Sequence, residues 1–223
     1  MANEIPVYLF VGFLESGKTK FIQETFEDPN FDSGDKTLLL VCEEGEEEYN
    51  QKKFAFPGVT LYNLEDKAEL NPQNLAKLAK EADAGRVVIE YNGMWMLQDL
   101  ANNLPENWIV YQCIATADGT TALTYARDNS MRALMLDKIA RSELIVFNRA
   151  EAVNNDAAVR SCTSWCVRHP ASATSPTSSR TAAWLTTTSP TRCPLTSTPR
   201  SSTSRTRISA YGKIGRASCR ERV

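Results

Sequence analysis

The segment Ile5 to Thr19, which reads IPVYLFVGFLESGKT, decides the fold of this chain. Its first seven residues form a short apolar run with β-branched side chains, which predicts a buried strand. Gly12 to Thr19 then match the pattern G-x-x-x-x-G-K-[ST] in full, and a helix is predicted to begin at Lys18. This order of strand, glycine-rich loop and helix surrounds a phosphate group with backbone N–H groups and the positive end of a helix. The segment therefore predicts a nucleotide-binding phosphate loop (P-loop), and the alternative is a plain glycine-rich turn.

The P-loop pattern gives each kind of residue within it a role. Glycines let the backbone approach the phosphates closely, with the N–H groups pointing inward. We expect the Lys18 ammonium to reach the β- and γ-phosphates and the Thr19 hydroxyl to bind Mg²⁺. The loop residues expected to contact the nucleotide are Gly12, Glu15, Ser16, Gly17, Lys18 and Thr19.

Apolar runs alternate with amphipathic segments beyond the P-loop. Strands are predicted over residues 5–11, 37–42, 59–64, 86–90, 108–115 and 143–147. Helices are predicted over residues 18–26, 72–82 (capped by Asn71, with Gly85 after its end), 94–103 and 120–141, the last as one helix or two that break near Asp128 and Asn129. Apolar strands that alternate with helices indicate a parallel sheet covered on both faces. The predicted fold is therefore α/β, a three-layer P-loop NTPase with a mostly parallel central sheet.

Acidic residues at the ends of strands are informative because ligands of parallel sheets bind at the carboxyl ends of the strands. Glu90 ends the predicted strand RVVIE. A P-loop needs a nearby carboxylate that holds Mg²⁺ directly or through water. We therefore predict that Glu90 is a metal ligand and acts with Lys18 and Thr19 in catalysis; the alternative is a solvated acid. Asp118 is a second candidate, although helix capping explains it equally well.

The stretch FNRAE, residues 147–151, follows the last predicted strand. A carboxylate accepts hydrogen bonds from both the ring N–H and the exocyclic NH₂ of guanine, which adenine does not offer in that arrangement, and asparagine can bond a base edge. Because Asn148 and Glu151 follow the P-loop in the expected order, Asn148, Arg149 and Glu151 are predicted to contact a guanine base. The alternative is a cap at the start of a helix.

Together these motifs resemble the CobW/HypB/UreG family of P-loop GTPases over residues 4–155. The first strand and P-loop resemble the family's opening segment, Glu90 to Gly93 resemble its E-x-x-G segment, and Asn148 to Glu151 resemble a variant of its N-K-x-D guanine motif. Residues 42–46, CEEGE, resemble the N-E-x-G-E segment that follows the family's second strand. The resemblance implies that Glu43 approaches Mg²⁺ or a switch region. The alternative is a solvated acidic loop over residues 43–48.

The sequence departs from the family pattern at its metal motif and its base motif. The C-x-C-C motif of the family is absent, and the spacing of Cys42 and Cys113 does not replace it. The resemblance implies metal delivery, but no thiolate cluster in this sequence supports that role. Arg149 and Glu151 stand where the family pattern has Lys and Asp.

Composition excludes several classes of function. Residues 1–160 hold 26 of the 27 acidic residues and only 15 of the 25 lysines and arginines, so a nucleic-acid surface is not expected. No apolar run reaches about 18 residues and the chain begins without a basic leader, which predicts neither a membrane helix nor a signal peptide. With few cysteines in the ordered part, we expect a cytoplasmic location. The single histidine, His169, argues against a histidine base or a histidine-rich metal site.

Residues 161–223 differ sharply from the rest, with one acidic residue, ten basic residues and 25 serines or threonines among 63 residues. A disordered linker is one interpretation. We favour a frameshift near Arg160, because a shifted reading of TTTSPT can yield Asp-Asp-Asp-Ile-Pro-Asp, and the final KIGRASCRERV can be encoded by a string that resembles a sequencing adapter. We therefore predict a GTP-binding domain over residues 1–155 and a low-complexity, disordered or non-native tail over residues 156–223. The uninterrupted gene downstream of codon 160 tests this hypothesis.

The sequence as a whole predicts a protein that binds GTP·Mg²⁺ and hydrolyses it slowly. No residue is evident that would position the attacking water, so turnover is expected to need dimerisation or a partner. The expected partners are the nucleotide, a metalloprotein client and a second copy of the chain, without nucleic acid or membrane. Nucleotide state is expected to order or release residues 43–48. The alternatives are an ATP-using phosphotransferase, a non-catalytic nucleotide-gated interaction protein and an inert fragment.

Overall fold

The computed structural model describes residues 4–43, 45 and 47–149 of the chain. In that part, six strands form one sheet: β1 (Ile5–Val11), β2 (Thr37–Val41), β3 (Val59–Asn63), β4 (Arg86–Glu90), β5 (Trp108–Asp118) and β6 (Leu144–Asn148). The strand order is β3-β2-β4-β1-β5-β6, and all the pairings are parallel. The predicted tail over residues 156–223 and the predicted base contact Glu151 lie outside the described residues.

Helices connect the strands: α1 (Lys18–Glu27), α2 (Pro72–Glu81), α3 (Leu97–Asn103), α4 (Ala122–Arg127) and α5 (Asn129–Ala140). The start of α2 is fixed as predicted, because the Asn71 side chain accepts the Asn74 N–H at 2.9 Å and proline suits the first position. The Asp128 carboxylate caps α5 in the same way and separates it from α4. None of the helices in the described part of the chain is long and apolar enough to span a membrane.

The core lies on both faces of the sheet because side chains alternate along each strand. In β1, Val7, Leu9 and Val11 join one core with buried residues of α2 and α3, whereas Tyr8 and Phe10 join a second core with α1. Burying a large apolar side chain contributes about 1.5–3 kcal/mol, so the two faces hold the helices firmly against the sheet. The three-layer α/β fold predicted from the sequence is therefore confirmed.

The parallel register brings the strand ends together at one edge. Phe10 of β1 lies opposite Glu90 of β4, so Glu90 stands beside the start of the P-loop. On the other side of β1, Asp118 of β5 lies opposite Asn148 of β6. The candidate residues that follow strands thus share the carboxyl edge of the sheet, where ligands of such folds bind.

Two element boundaries differ from the predictions by three residues. Helix α3 begins at Leu97 rather than at residue 94, because the Asn92 side chain accepts the Met94 N–H and holds that stretch in a turn. Strand β5 continues to Asp118 rather than ending at residue 115, because β6 pairs with its last residues. Gly85 follows the end of α2 as predicted, and the residue with a left-handed backbone there is Asp83, with φ of 49°.

Candidate functional site

The P-loop runs from the end of β1 to the start of α1, and two of its glycines adopt backbone angles that other residues rarely take. Gly12 has φ of 151° and Gly17 has φ of 94°. A Cβ at Gly12 would lie 2.4 Å from the Thr116 backbone oxygen, and one at Gly17 would lie 2.3 Å from the Asn148 side-chain nitrogen. The backbone of β5 therefore leaves no room for a side chain at Gly12, and a side chain at Gly17 would require the Asn148 amide to move.

Lys18, the first residue of α1, is buried, with only 3% of its side chain exposed. Its ammonium curls back over the loop and donates to the backbone oxygens of Gly12 at 3.1 Å and Phe13 at 3.0 Å. It also forms an ion pair with the Glu43 carboxylate. The cation thus stands over the glycine-rich loop, in the position from which a lysine can neutralise phosphate charge.

Thr19 and Glu90, two residues predicted to hold Mg²⁺, lie in direct contact. The Thr19 hydroxyl donates to the Glu90 carboxylate at 2.7 Å. Burial raises the pKa of Glu90, and hydrogen bonds from Tyr49 and Thr19 oppose that rise. Tyr49 donates its hydroxyl to the second carboxylate oxygen, so both oxygens of Glu90 have partners.

Glu43 lies on the loop that follows β2 and faces the P-loop rather than solvent, with 8% of its side chain exposed. Besides Lys18, its carboxylate accepts the Gly93 N–H at 3.0 Å. Gly93 itself presses against the P-loop, since a Cβ there would lie 2.7 Å from the Gly12 oxygen. The interpretation of Glu43 as part of a solvated acidic loop is therefore wrong for this residue.

Two buried, charged residues of α5 form hydrogen bonds with the loop that follows β4. Lys138 donates to the Trp95 backbone oxygen at 2.8 Å, and Asp137 accepts the Leu97 N–H at 2.7 Å. Burial lowers the pKa of Lys138, and the nearby Asp137 opposes that shift. These contacts hold the stretch that follows Gly93. Lys138 is also close enough to Lys18 and Glu43 for their charges to affect its pKa.

The segment at the end of β6 lies against the P-loop. The Asn148 amide donates to the Ser16 backbone oxygen at 3.4 Å, and the Arg149 guanidinium donates to the Glu15 backbone oxygen at 3.2 Å. Arg149 also pairs with Asp118. Asp118 accepts hydrogen bonds from Thr120, which together with Arg149 lower its pKa despite the opposing effect of burial. Asp118 therefore caps a turn and pairs with Arg149.

Several residues of the site were not predicted from the sequence: Tyr49, Gly93 as a hydrogen-bond donor, Thr116, Asp137 and Lys138. Thr116 bonds the Ser16 hydroxyl at 2.6 Å and so supports the loop from β5. No motif marks these residues, because their roles come from contacts across 40 to 100 positions of sequence. The only signal for Lys138 and Asp137 was a pair of charges within an otherwise apolar helical stretch.

The cysteines of the described residues do not form a metal centre. Cys42 and Cys113 are both buried and free, and burial raises the pKa of each thiol to about 12. Across residues 4–43, 45 and 47–149 no group of three or more His, Cys, Asp or Glu side chains is arranged to hold a metal ion. Thr19 and Glu90 therefore offer a partial set of oxygen ligands that a bound nucleotide would have to complete.

Comparison with protein families supports the interpretation of this geometry. The profile described as CobW/HypB/UreG, nucleotide-binding domain, matches residues 6–175, which is more than half of the chain. The match runs past residue 155, where the domain was predicted to end, and past Arg160, so that boundary stays a prediction. Comparison with curated proteins finds no match. The chain belongs to the CobW/HypB/UreG nucleotide-binding domain family of P-loop GTPases.

Proposed function

We propose that this protein binds GTP with Mg²⁺ and hydrolyses the nucleotide slowly. The observation that carries the proposal is the meeting of Lys18, Thr19 and Glu90 at the ends of β1 and β4. A buried ammonium over a glycine-rich loop suits a triphosphate, and a hydroxyl beside a carboxylate suits a divalent cation.

The donor set fits Mg²⁺, which prefers oxygen ligands and keeps several of its positions for phosphates and water. Thr19 and Glu90 would hold the ion, since their oxygens already lie 2.7 Å apart. When bound there, Mg²⁺ would neutralise charge that develops between the β- and γ-phosphates. Glu43 was predicted to approach the metal as well, but its carboxylate bonds Lys18 and Gly93 instead of Thr19.

The chain's own residues supply binding and charge neutralisation. Lys18 would exchange its bonds to Gly12 and Phe13 for bonds to phosphate oxygens. The N–H groups of the P-loop and the start of α1 would orient the rest of the triphosphate. None of the described side chains at the site has an evident role in orienting a water molecule for attack. We therefore propose that turnover depends on a second copy of the chain or on another partner.

Asn148 and Arg149 support guanine as the base. A base contact by these residues is supported by their hydrogen bonds to the backbone of Ser16 and Glu15, because the end of β6 then adjoins the loop that would hold the phosphates. Asn148 can bond a base edge, and Glu151 would accept the two N–H groups of guanine.

Family membership supports a role that couples GTP to the delivery of a metal cofactor or the maturation of a metalloprotein. We propose a metalloprotein client for the same reason. The acidic balance of residues 1–160 supports a protein partner rather than nucleic acid, and the proposed location is the cytoplasm.

Equilibrium binding and phosphate release test this function on the full chain. We expect GTP·Mg²⁺ to bind, ATP to compete poorly, and turnover on the order of 10⁻⁴ to 10⁻² s⁻¹, the range of GTPases that lack a partner-supplied arginine. Better binding of ATP would favour a phosphotransferase. GTP binding without phosphate release, even with partners present, would favour a nucleotide-gated interaction protein.

A further inference from the structure

The Glu43 carboxylate occupies a small anion-binding position beside the P-loop. Its two oxygens are held by different donors: one by the Lys18 ammonium and the other by the Gly93 N–H at 3.0 Å. An ammonium and an inward-facing backbone N–H are also the donors that proteins present to phosphate oxygens. The carboxylate therefore occupies a place where a negatively charged oxygen of a ligand would find the same two donors.

The packing of Gly93 shows that this anion-binding position lies beside the P-loop and not on the outer surface of the protein. The Gly93 backbone packs directly on Gly12 and Phe13, since a Cβ at Gly93 would lie 2.7 Å from the Gly12 oxygen and 2.8 Å from the Phe13 Cα. Lys18 bonds the oxygens of the same two loop residues. Both donors to Glu43 thus adjoin one short stretch of the loop, next to the Thr19–Glu90 pair.

Burial shows that the carboxylate is a specific ligand and not a surface acid. The Glu43 side chain is 8% exposed and that of Lys18 is 3% exposed. A carboxylate that leaves water at such a position needs partners, and here the ion pair and one backbone N–H supply them. Tyr49, six residues further along the chain, bonds Glu90. The segment after β2 therefore contacts both Lys18, through Glu43, and Glu90, through Tyr49.

We propose that Glu43 is a specificity-determining residue that holds the terminal-phosphate position when no triphosphate is bound. This inference rests on the proposed function. A γ-phosphate needs Lys18 and the Gly93 N–H, so it must displace the carboxylate, whose negative charge would otherwise repel it. A diphosphate ends one phosphate earlier and leaves Glu43 in place. Glu43 therefore weakens binding of GTP more than binding of GDP, and its release reports the arrival of the third phosphate.

The test compares equilibrium binding of GDP and a non-hydrolysable GTP analogue to the full chain and to Glu43→Gln and Glu43→Ala. We expect both substitutions to strengthen binding of the GTP analogue by about tenfold, a size within the range that is typical when one binding event opposes another. Binding of GDP should change less than threefold. Glu24→Gln, an exposed acid on the surface of α1, is the matched control and should change neither constant. Thermal unfolding without nucleotide checks that each variant is folded.

A second condition separates this role from metal binding. The gain in affinity should persist in EDTA, because Glu43 competes with a phosphate and not with the ion. A loss of GTP-analogue affinity that occurs only with Mg²⁺ would instead make Glu43 a metal ligand and overturn the inference. Equal changes for GDP and the GTP analogue, or no change, would also overturn it while leaving the proposed function intact. If folded wild type binds neither nucleotide, the proposed function fails and the inference fails with it.

Discussion

The phosphate side of the site (Lys18, Thr19, Glu90 and Glu43) and its base side (Asp118, Asn148 and Arg149) use one edge of the sheet in different ways. On the phosphate side, charged groups are buried and bonded to one another. On the base side, the Arg149 side chain is 48% exposed. Asn148 and Arg149 donate their hydrogen bonds to backbone oxygens of the P-loop. Buried charges must be partnered, whereas exposed ones gain little from pairing. The phosphate side is therefore the part in which substitutions should have the larger effects.

Lys18→Ala should produce the largest effect, because it removes the cation of the phosphate side. We expect GTP to bind at least about 100-fold more weakly, since a hydrogen bond to a charged group contributes about 1.5–3 kcal/mol and each 1.4 kcal/mol is tenfold. Isothermal titration of the full chain with GTP·Mg²⁺ measures this. Lys20→Ala, an exposed lysine two positions along α1, is the control. Unchanged GTP binding by Lys18→Ala would show that the P-loop does not bind the nucleotide.

Gly93→Ala tests the close packing between the phosphate side and the loop after β4. The added Cβ would meet backbone atoms of Gly12 and Phe13, which cannot move without the P-loop. We expect a loss of about 1–3 kcal/mol in unfolding free energy, as for other overpacked sites, together with weaker GTP binding.

Gly34→Ala is the matched control for this substitution, since a Cβ there meets nothing within 4 Å although φ is 77°. It should cost about 1 kcal/mol through its backbone angle alone and leave GTP binding unchanged. If Gly93→Ala behaves like Gly34→Ala in both measurements, Gly93 does not pack tightly against the P-loop.

Asn148→Ala tests the base side and should have a smaller effect. We expect GTP affinity to fall about tenfold with little change for ATP, because one or two hydrogen bonds to the base edge are lost. Direct competition between GTP and ATP measures the ratio. Asn102→Ala, an exposed asparagine of α3, should leave the ratio unchanged. An equal loss for both nucleotides would mean that Asn148 supports the P-loop through Ser16 and does not select the base.

The smallest effect is expected in the reactivity of the two buried thiols, Cys42 beside Glu43 and Cys113 within β5. Both thiols have their pKa raised to about 12 by burial, so at pH 8 only about one in ten thousand of each is the reactive thiolate. Alkylation at pH 8 followed by peptide mass spectrometry should leave both unmodified in the folded protein. Rapid modification of Cys113 in folded protein would contradict the packing of the sheet.

The sequence was sufficient for the fold and for the positions of the P-loop and Glu90 at one edge of the sheet. Alternation of apolar strands and helices predicted the parallel sheet, and the spacing of Gly12 to Thr19 predicted the loop that the structure forms. Glu90 was found because it ends a strand, and strand ends share one edge. The predicted fold is confirmed because it depends on local pattern and on a general rule of parallel sheets, whereas the role of Glu90 as a metal ligand stays a prediction.

The contacts that shape the site were beyond sequence reasoning. Tyr49 reaches Glu90 across 41 positions, and Glu43 reaches Gly93 across 50, so no local pattern records either pair. The acidic composition of residues 43–48 suggested a solvated loop, whereas the partners of Glu43 bury it. The helix predicted to begin at residue 94 begins three residues later, because Asn92 and Asp137 bond the backbone around its start.

The most direct test of the central claim is a crystal structure of the full chain with a non-hydrolysable GTP analogue and Mg²⁺. We expect the terminal phosphate on the Lys18 ammonium and the Gly93 N–H, the ion on Thr19 and Glu90, and the Glu43 carboxylate displaced from Lys18. A nucleotide bound elsewhere, or a triphosphate bound in the P-loop while Glu43 still pairs with Lys18, would contradict the central claim.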